Sequence, residues 1–157
     1  MFATKRLGKE LLKMKEHLPP GITIAKSENL EEWHMDLQVL DDNPLYQDQT
    51  YRLKFTFGSK YPIEPPEVQF IESPSTPSTP RPIPIHPHIY SNGIICLDLL
   101  SSAGWSPVQT VESVCVSIQS MLTANTRNER PPGDSDFVSY NRRRPRDINF
   151  FYDDDNV

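Results

Sequence analysis

The sequence predicts an α+β fold made of an N-terminal helix, a four-stranded antiparallel meander, an irregular loop, a central helix and a C-terminal tail. Three observations predict it. The length of 157 residues suits one domain that can bury most of its apolar surface. Apolar residues change along the chain from helical spacing to alternation and back. The 16 prolines, roughly twice the usual frequency, exclude a plain helix bundle.

The first helix is predicted over residues 4–18. Thr4 is the predicted N-cap, and Pro19–Gly21 ends the helix. Apolar residues recur every three or four positions and define its buried face: Leu7, Leu11, Met14 and Leu18.

Four short strands are predicted at residues 22–25, 33–40, 51–57 and 68–70. Alternation of apolar with polar residues is clearest in the middle two, as expected for half-buried strands. The short, turn-rich connections between them favour an antiparallel meander.

Proline and charge patterns set the predicted boundaries. One domain is predicted over 1–138, and within it residues 72–84 form a Pro-, Ser- and Thr-rich loop insertion of polyproline character. Its three Ser/Thr-Pro pairs are candidate phosphorylation sites, although an undecorated loop is the simpler interpretation. Residues 139–157 are predicted to be a mobile tail, because Pro145 and the neighbouring arginines disfavour a regular helix at 141–146.

The central helix is predicted over residues 111–122 with Thr110 as its N-cap. Cys115 lies on its apolar stripe and is expected to be a small core residue.

Cys96 lies in irregular chain after a Ser-Asn-Gly turn, where reactive groups are usually placed. His86, His88 and Cys96 lack a fourth zinc ligand at a familiar spacing, so no metal site is expected. A cysteine protease arrangement is similarly disfavoured.

Composition excludes several further classes. Two cysteines are too few for a disulfide scaffold, no run of about 20 apolar residues predicts a membrane span, and the net charge of −5 argues against nucleic-acid binding. The N-terminal stretch is amphipathic and carries Glu10, unlike a signal or transit peptide. We therefore expect a reducing, cytoplasmic or nuclear location without membrane partners.

Several motifs occur in a characteristic order and together resemble the ubiquitin-conjugating enzymes. They are Lys5-Arg6-Leu7-x-Lys9-Glu10-Leu11, Tyr61-Pro62-x-x-Pro65-Pro66, His86-Pro87-His88, Ile95-Cys96-Leu97-Asp98 and Trp105-Ser106-Pro107. The resemblance covers about residues 4–138, so that the expected fold is the ubiquitin-conjugating fold and residues 1–138 its catalytic domain.

The resemblance implies an acyltransferase that carries ubiquitin as a thioester on Cys96. A thiol suits such a carrier, since it is a good nucleophile and a good leaving group. The enzyme itself is expected to need no cofactor and no metal, because the ATP is used by the ubiquitin-activating enzyme. Further site residues implied by position are the following: His86, which looks like a turn-locking residue, Asn92 of the turn, and Asp98 and Glu129, either of which could orient or deprotonate an incoming amine.

One position departs from the usual family pattern. The family motif ends in asparagine, whereas this chain has His88, which can still donate a hydrogen bond to an oxyanion. His-Pro-His is similar to the W-type branch, which is described as placing ubiquitin on the α-amino group of flexible protein N-termini. An α-amine has a pKa of about 7.7–8.0 against about 10.4 for lysine, so it attacks without a strong base. A lysine-directed enzyme, a conjugating enzyme for a ubiquitin-like modifier and a non-catalytic adaptor are the alternatives.

The resemblance also predicts partners: ubiquitin, its activating enzyme, a RING or U-box ligase, and protein substrates with flexible N-termini. The ligase-facing positions implied by the match are Arg6, Lys9, Ile63, Pro107 and Val108. The insertion at 72–84 ends just before the active-site turn, and we hypothesise that it borders the acceptor groove.

Overall fold

The computed structural model describes residues 2–72 and 81–140. In this part of the chain three α-helices accompany one sheet: α1 (Phe2–Glu16), α2 (Val111–Thr123) and α3 (Asp134–Tyr140). The sheet contains β1 (Ile22–Lys26), β2 (Glu32–Leu37), β3 (Tyr51–Thr56) and β4 (Glu67–Ile71). Its strand order, β1-β2-β3-β4, is an antiparallel meander, which confirms the predicted fold class.

The first helix differs from its prediction at both ends. It begins at Phe2, so Thr4 lies inside the helix and is not its N-cap. It ends at Glu16, two residues early, because a residue that precedes proline is disfavoured in the helical region and Leu18 precedes Pro19. Leu18 still packs against the core from the connection that follows.

One face of the sheet forms the core together with the helices. Alternate residues of the strands are buried, including Trp33, Met35, Leu53 and Phe55. They pack against α1 and against the apolar stripe of α2, in which Cys115 is fully buried as predicted. This core supports the loop that follows β4 and carries Cys96.

Helix α2 is fixed at both of its ends. Thr110 caps the start as predicted: its hydroxyl accepts from the backbone N–H of Ser113, and the Ser113 hydroxyl accepts from the backbone N–H of Thr110. At the other end the Asn43 side-chain amide donates to the backbone carbonyls of Leu122, Thr123 and Asn125, the shortest bond being 2.9 Å. The residues just beyond α2 are thereby held in place.

The loop after β4 is pressed onto the sheet at Gly93. This residue has a φ of +91°, and a Cβ there would overlap the carbonyl oxygen of Phe70. The backbone N–H of Phe70 donates to the Gly93 carbonyl over 2.9 Å. Glycine is therefore required where the chain turns toward Cys96.

Two segments of the predictions fall partly outside the described residues. Of the insertion at 72–84, residues 73–80 are not described, and the Arg81 guanidinium lies 3.7 Å from the Asp36 carboxylate on β2. Of the tail at 139–157, residues 141–157 are not described. Helix α3 was not predicted, and it runs across the proposed boundary at 138.

Candidate active site

Cys96 lies beside the His86-Pro87-His88 turn at the end of a short backbone ladder. The backbone N–H of Cys96 donates to the His88 carbonyl over 2.8 Å, and Ile89 forms a bridge with Ile95. Its thiol is free and half-buried. The loop thus places the thiol next to His88 with an opening to solvent.

A cleft of about 510 Å³ opens in front of the thiol. Its walls come from the His-Pro-His turn, the Cys96 loop, the second half of α2 and the chain just after α2. The lining residues are His86, Pro87, His88, Cys96, Leu97, Ser117, Ser120, Met121, Ala124, Asn125, Thr126 and Arg127. The cleft therefore has space for an extended chain beside the Cys96 thiol.

Burial raises the pKa of the Cys96 thiol to about 11. At neutral pH the thiol is therefore mainly protonated, and its attack on a carbonyl must be accompanied by loss of the proton. The fully buried Cys115 also has a raised pKa, chiefly because of burial. Of the two thiols, only that of Cys96 reaches the cleft.

His86 locks the turn. It is 5 % exposed, and its Nδ1 accepts from the backbone N–H of His88 over 2.9 Å. This bond places the ring proton on Nε2, next to the backbone of Met121. Burial, followed by the nearby His88, lowers the pKa of His86 to about 4. The imidazole is therefore neutral at physiological pH and shapes the loop without carrying a charge.

We expect this neutral imidazole to make the folded protein acid-sensitive. Between about pH 6.5 and 4 the unfolded chain protonates His86 but the folded chain does not, so the free energy of unfolding falls by about 3 kcal/mol as the pH drops through this window. Urea unfolding at about pH 7 and about pH 4.5 measures the loss. His86→Asn should show a smaller loss than the exposed control His17→Asn, and equal losses in both variants would contradict the prediction.

The structure brings three of the six predicted catalytic residues together in the cleft: Cys96, His86 and His88. The other three lie elsewhere. Asn92 turns its Oδ1 to the backbone N–H of Ile94 over 3.2 Å and supports the turn. Asp98 is exposed and its carbonyl accepts from the Ser101 hydroxyl over 2.7 Å. Glu129 is exposed, with its carboxylate 3.5 Å from the Arg127 guanidinium.

Sequence reasoning missed Arg130, which ties the active-site turn to the chain after α2. Its guanidinium donates to the backbone carbonyls of Pro84 at 2.6 Å, Ile89 at 3.1 Å and Ile83 at 3.2 Å. An arginine beside two prolines gives no sign of such partners. They are backbone atoms more than 40 positions away, since the sequence separations are 46, 41 and 47.

Helix α3 packs against the turn at Tyr90 and Ser91, which follows the His-Pro-His turn. The Asp134 carboxylate accepts from the backbone N–H of Ser91 over 2.8 Å, and the Phe137 ring stacks on Tyr90 with a centroid distance of 3.7 Å. Burial, followed by Coulombic interactions with Cys96 and Asp134, raises the pKa of Tyr90. The unpredicted helix therefore packs against the active-site turn.

The predicted ligase-facing residues lie on α1 and on two neighbouring loops: Arg6, Lys9, Ile63, Pro107 and Val108. Ile63 and Val108 are 68 % and 80 % exposed, so that each of the two loops presents a large apolar side chain to solvent. The two loops are joined because the Trp105 indole N–H donates to the Pro62 carbonyl over 2.7 Å. Arg6 joins α1 to them by donating to the Gln109 carbonyl over 2.8 Å.

Within residues 2–72 and 81–140 no group of three or more His, Cys, Asp or Glu side chains is placed to hold a metal ion. No helix in the same described ranges is long and apolar enough to cross a membrane.

Known proteins resemble this chain over almost its whole length. The family model for "Ubiquitin-conjugating enzyme" matches residues 6–149. A Dictyostelium discoideum protein named "Probable ubiquitin-conjugating enzyme E2 W" is 44% identical over 98% of this chain and 96% of its own length. The Caenorhabditis elegans "Ubiquitin-conjugating enzyme E2 W" is 38% identical over 99% and 97%. The crystal structure of the conjugating enzyme UbcA1 from Agrocybe aegerita has a TM-score of 0.83 and 37% identity, covering 92% of this chain and 98% of its own.

Proposed function

The chain belongs to the ubiquitin-conjugating enzyme family, and from this premise we propose that it transfers ubiquitin from Cys96 to the α-amino group of flexible protein N-termini. Members of the family are transferases that act through a thioester, with ubiquitin, an activating enzyme and a ligase as partners. The choice of an N-terminal amine as acceptor is the part that we propose.

The observation that carries the proposal is the absence of a carboxylate among the described residues that line the cleft. At pH 7 a lysine amine is almost entirely protonated. Its attack therefore benefits from a nearby carboxylate, which can orient the amine and accept its proton. The two carboxylates that could do so are engaged elsewhere: Asp98 with Ser101, and Glu129 with Arg127. An α-amine needs less help, because a substantial fraction of it is already neutral.

The charge at the cleft favours the same acceptor. Of the ion pair between Arg127 and Glu129, only Arg127 lines the cleft, so its guanidinium is the nearer charge and repels an approaching ammonium ion more than a neutral amine. The relatives whose names include E2 W support this assignment, since the W-type branch is described as modifying N-termini.

In the proposed step the neutral α-amine attacks the thioester carbonyl carbon. The carbon–sulfur bond breaks, Cys96 leaves as a thiolate, and the proton released by the amine restores the thiol, whose raised pKa favours the protonated form. We propose that His88, which lines the cleft beside Cys96, donates a hydrogen bond to the oxyanion that forms. The neutral His86 holds His88 in position through the 2.9 Å bond to its backbone N–H.

Single-turnover discharge of the preformed Cys96 thioester tests the acceptor. Two matched peptides are offered: one has a free N-terminus and no lysine, and the other is N-acetylated with a single lysine. At pH 7 we expect discharge to the first to be faster by about two to three orders of magnitude, because the neutral amine fractions differ by a few hundredfold. Between pH 7 and 9 the rate with the free N-terminus should level off, whereas any rate with lysine should rise about tenfold per unit.

The opposite preference would overturn the proposal. Faster discharge to the acetylated lysine peptide would make the chain a lysine-directed enzyme. In that case Glu129→Gln or Asp98→Asn should slow the lysine reaction. Loading with a ubiquitin-like modifier in place of ubiquitin tests the other alternative. A thioester that forms with the modifier but not with ubiquitin would make the chain a conjugating enzyme for that modifier.

We also propose that the surface formed by Arg6, Lys9, Ile63, Pro107 and Val108 binds a RING or U-box ligase. Two exposed apolar side chains at neighbouring loop tips, bordered by basic residues of α1, support this assignment. A cytoplasmic or nuclear location is part of the same proposal and is supported by the two free cysteines.

A further inference from the structure

Glu10 is buried at the centre of the molecule's ligase-facing end. Among the described residues, the buried polar or charged side chains are those of Glu10 and His86, and Glu10 is only 6 % exposed. The catalytic step described above does not use it. A charged side chain at such a position requires partners, since an isolated buried carboxylate is very unfavourable.

The Glu10 carboxylate receives three hydrogen bonds from three parts of the fold. Its Oε2 accepts from the Tyr61 hydroxyl over 2.6 Å and from Arg6 Nε over 3.0 Å. Its Oε1 accepts from the backbone N–H of Val111 over 2.7 Å, at the first residue of α2. A negative charge there also interacts favourably with the helix N-terminus. One side chain thus connects α1, the Tyr61 loop and the start of α2.

Two of these donors, Arg6 and Tyr61, connect Glu10 with the exposed loops. Arg6 continues from Glu10 to the Gln109 carbonyl, next to the exposed Val108. Tyr61 precedes Pro62, whose carbonyl accepts from the Trp105 indole. The exposed tip residue Ile63 follows immediately. The two apolar loop tips and the basic helix face are therefore all held through contacts that begin at Glu10.

We propose that Glu10 is a positioning residue for the ligase step, which holds the two loops and Arg6 in the arrangement that a RING or U-box domain binds. The inference rests on the proposed ligase surface. A partner that docks on preformed loops does not have to order them, so binding is tighter than to the same side chains on loose loops. Buried ion pairs add little net stability when compared with apolar packing, but they impose geometry.

Two variants and one control test this role. Glu10→Gln keeps the shape of the side chain but removes its charge, and Tyr61→Phe removes only the hydroxyl donor. Glu16→Gln makes the same change as the first variant at an exposed position in the last turn of α1. Each protein is loaded with ubiquitin, and discharge to the free-N-terminus peptide is followed with increasing amounts of RING and U-box domains from a panel.

We expect Glu10→Gln to raise the RING or U-box concentration needed for half-maximal stimulation about tenfold, equivalent to about 1.4 kcal/mol of docking free energy. Ligase-free discharge should fall far less, and Glu16→Gln should change neither value. Tyr61→Phe should show a smaller shift, because it leaves the bonds to Arg6 and Val111 in place. The combined variant should be less than additive, since both changes act on one hydrogen-bonded group.

Hydrogen exchange distinguishes positioning from a general loss of stability. Under native conditions the amides of residues 61–64 and 106–111 should lose protection in Glu10→Gln, whereas those of the sheet should not. Unchanged exchange at the loops, or looser loops with unchanged stimulation, would overturn the role of Glu10. If no panel member accelerates discharge from the unaltered protein, the proposed ligase surface itself falls, and that failure is visible without any variant.

Discussion

Replacing Cys96 with alanine is expected to abolish the reducible ubiquitin adduct completely. Cys96 is the one described cysteine that lines the cleft, and Cys115 is fully buried within α2. The protein is incubated with activating enzyme, ATP and ubiquitin, and the adduct is followed by non-reducing electrophoresis with and without a thiol reductant. Loss of the adduct is expected to be total because no second nucleophile replaces the sulfur.

The other cysteine supplies the matched control. Cys115→Ala should load normally and should lower the free energy of unfolding by about 1 kcal/mol, as expected when a small buried group is removed. An adduct that persists in Cys96→Ala, or one that disappears in a folded Cys115→Ala, would contradict the assignment. Absence of an adduct on the unaltered protein would favour a non-catalytic adaptor.

The second large effect is expected from Arg130→Met. The substitution leaves three backbone carbonyls on the chain that carries the His86 turn without their donor. We expect the free energy of unfolding to fall by about 3 kcal/mol, because three partly buried carbonyls lose a charged donor. Discharge of the thioester, measured well below the melting temperature, should slow about tenfold because the turn that positions His88 is no longer held.

Two further arginine substitutions separate geometry from charge. Arg130→Lys retains the positive charge but cannot reach three carbonyls with a planar group, so an intermediate effect is expected. For stability the control is Arg127→Met, because Arg127 is 70 % exposed and its ion pair with Glu129 lies at the surface. It should change the free energy of unfolding by less than about 0.5 kcal/mol. If Arg130→Met were no more destabilising than this control, the proposed role of Arg130 would be wrong.

The sequence predicted elements that show a clear period over several turns or strands. Alternation placed β2 and β3, and the stripe through Cys115 placed α2 almost to the residue. Prediction failed for α3, because its seven residues are too few to give a periodic signal. That helix is held by contacts of Asp134 and Phe137 with a turn more than 40 positions earlier, since Asp134 and Ser91 are 43 residues apart.

For the site, sequence alone predicted the family, Cys96 as the thioester-forming residue, and its neighbours His86 and His88, because these belong to one short motif. Only the tertiary structure decided which charged side chains lie near Cys96 and which partners they bind. It paired Glu129 with Arg127 and turned Arg130 toward the site. It also buried Glu10 between three elements. The physical reason is that a motif specifies local backbone shape, whereas a hydrogen bond between distant residues exists only after packing has brought donor and acceptor within about 3 Å.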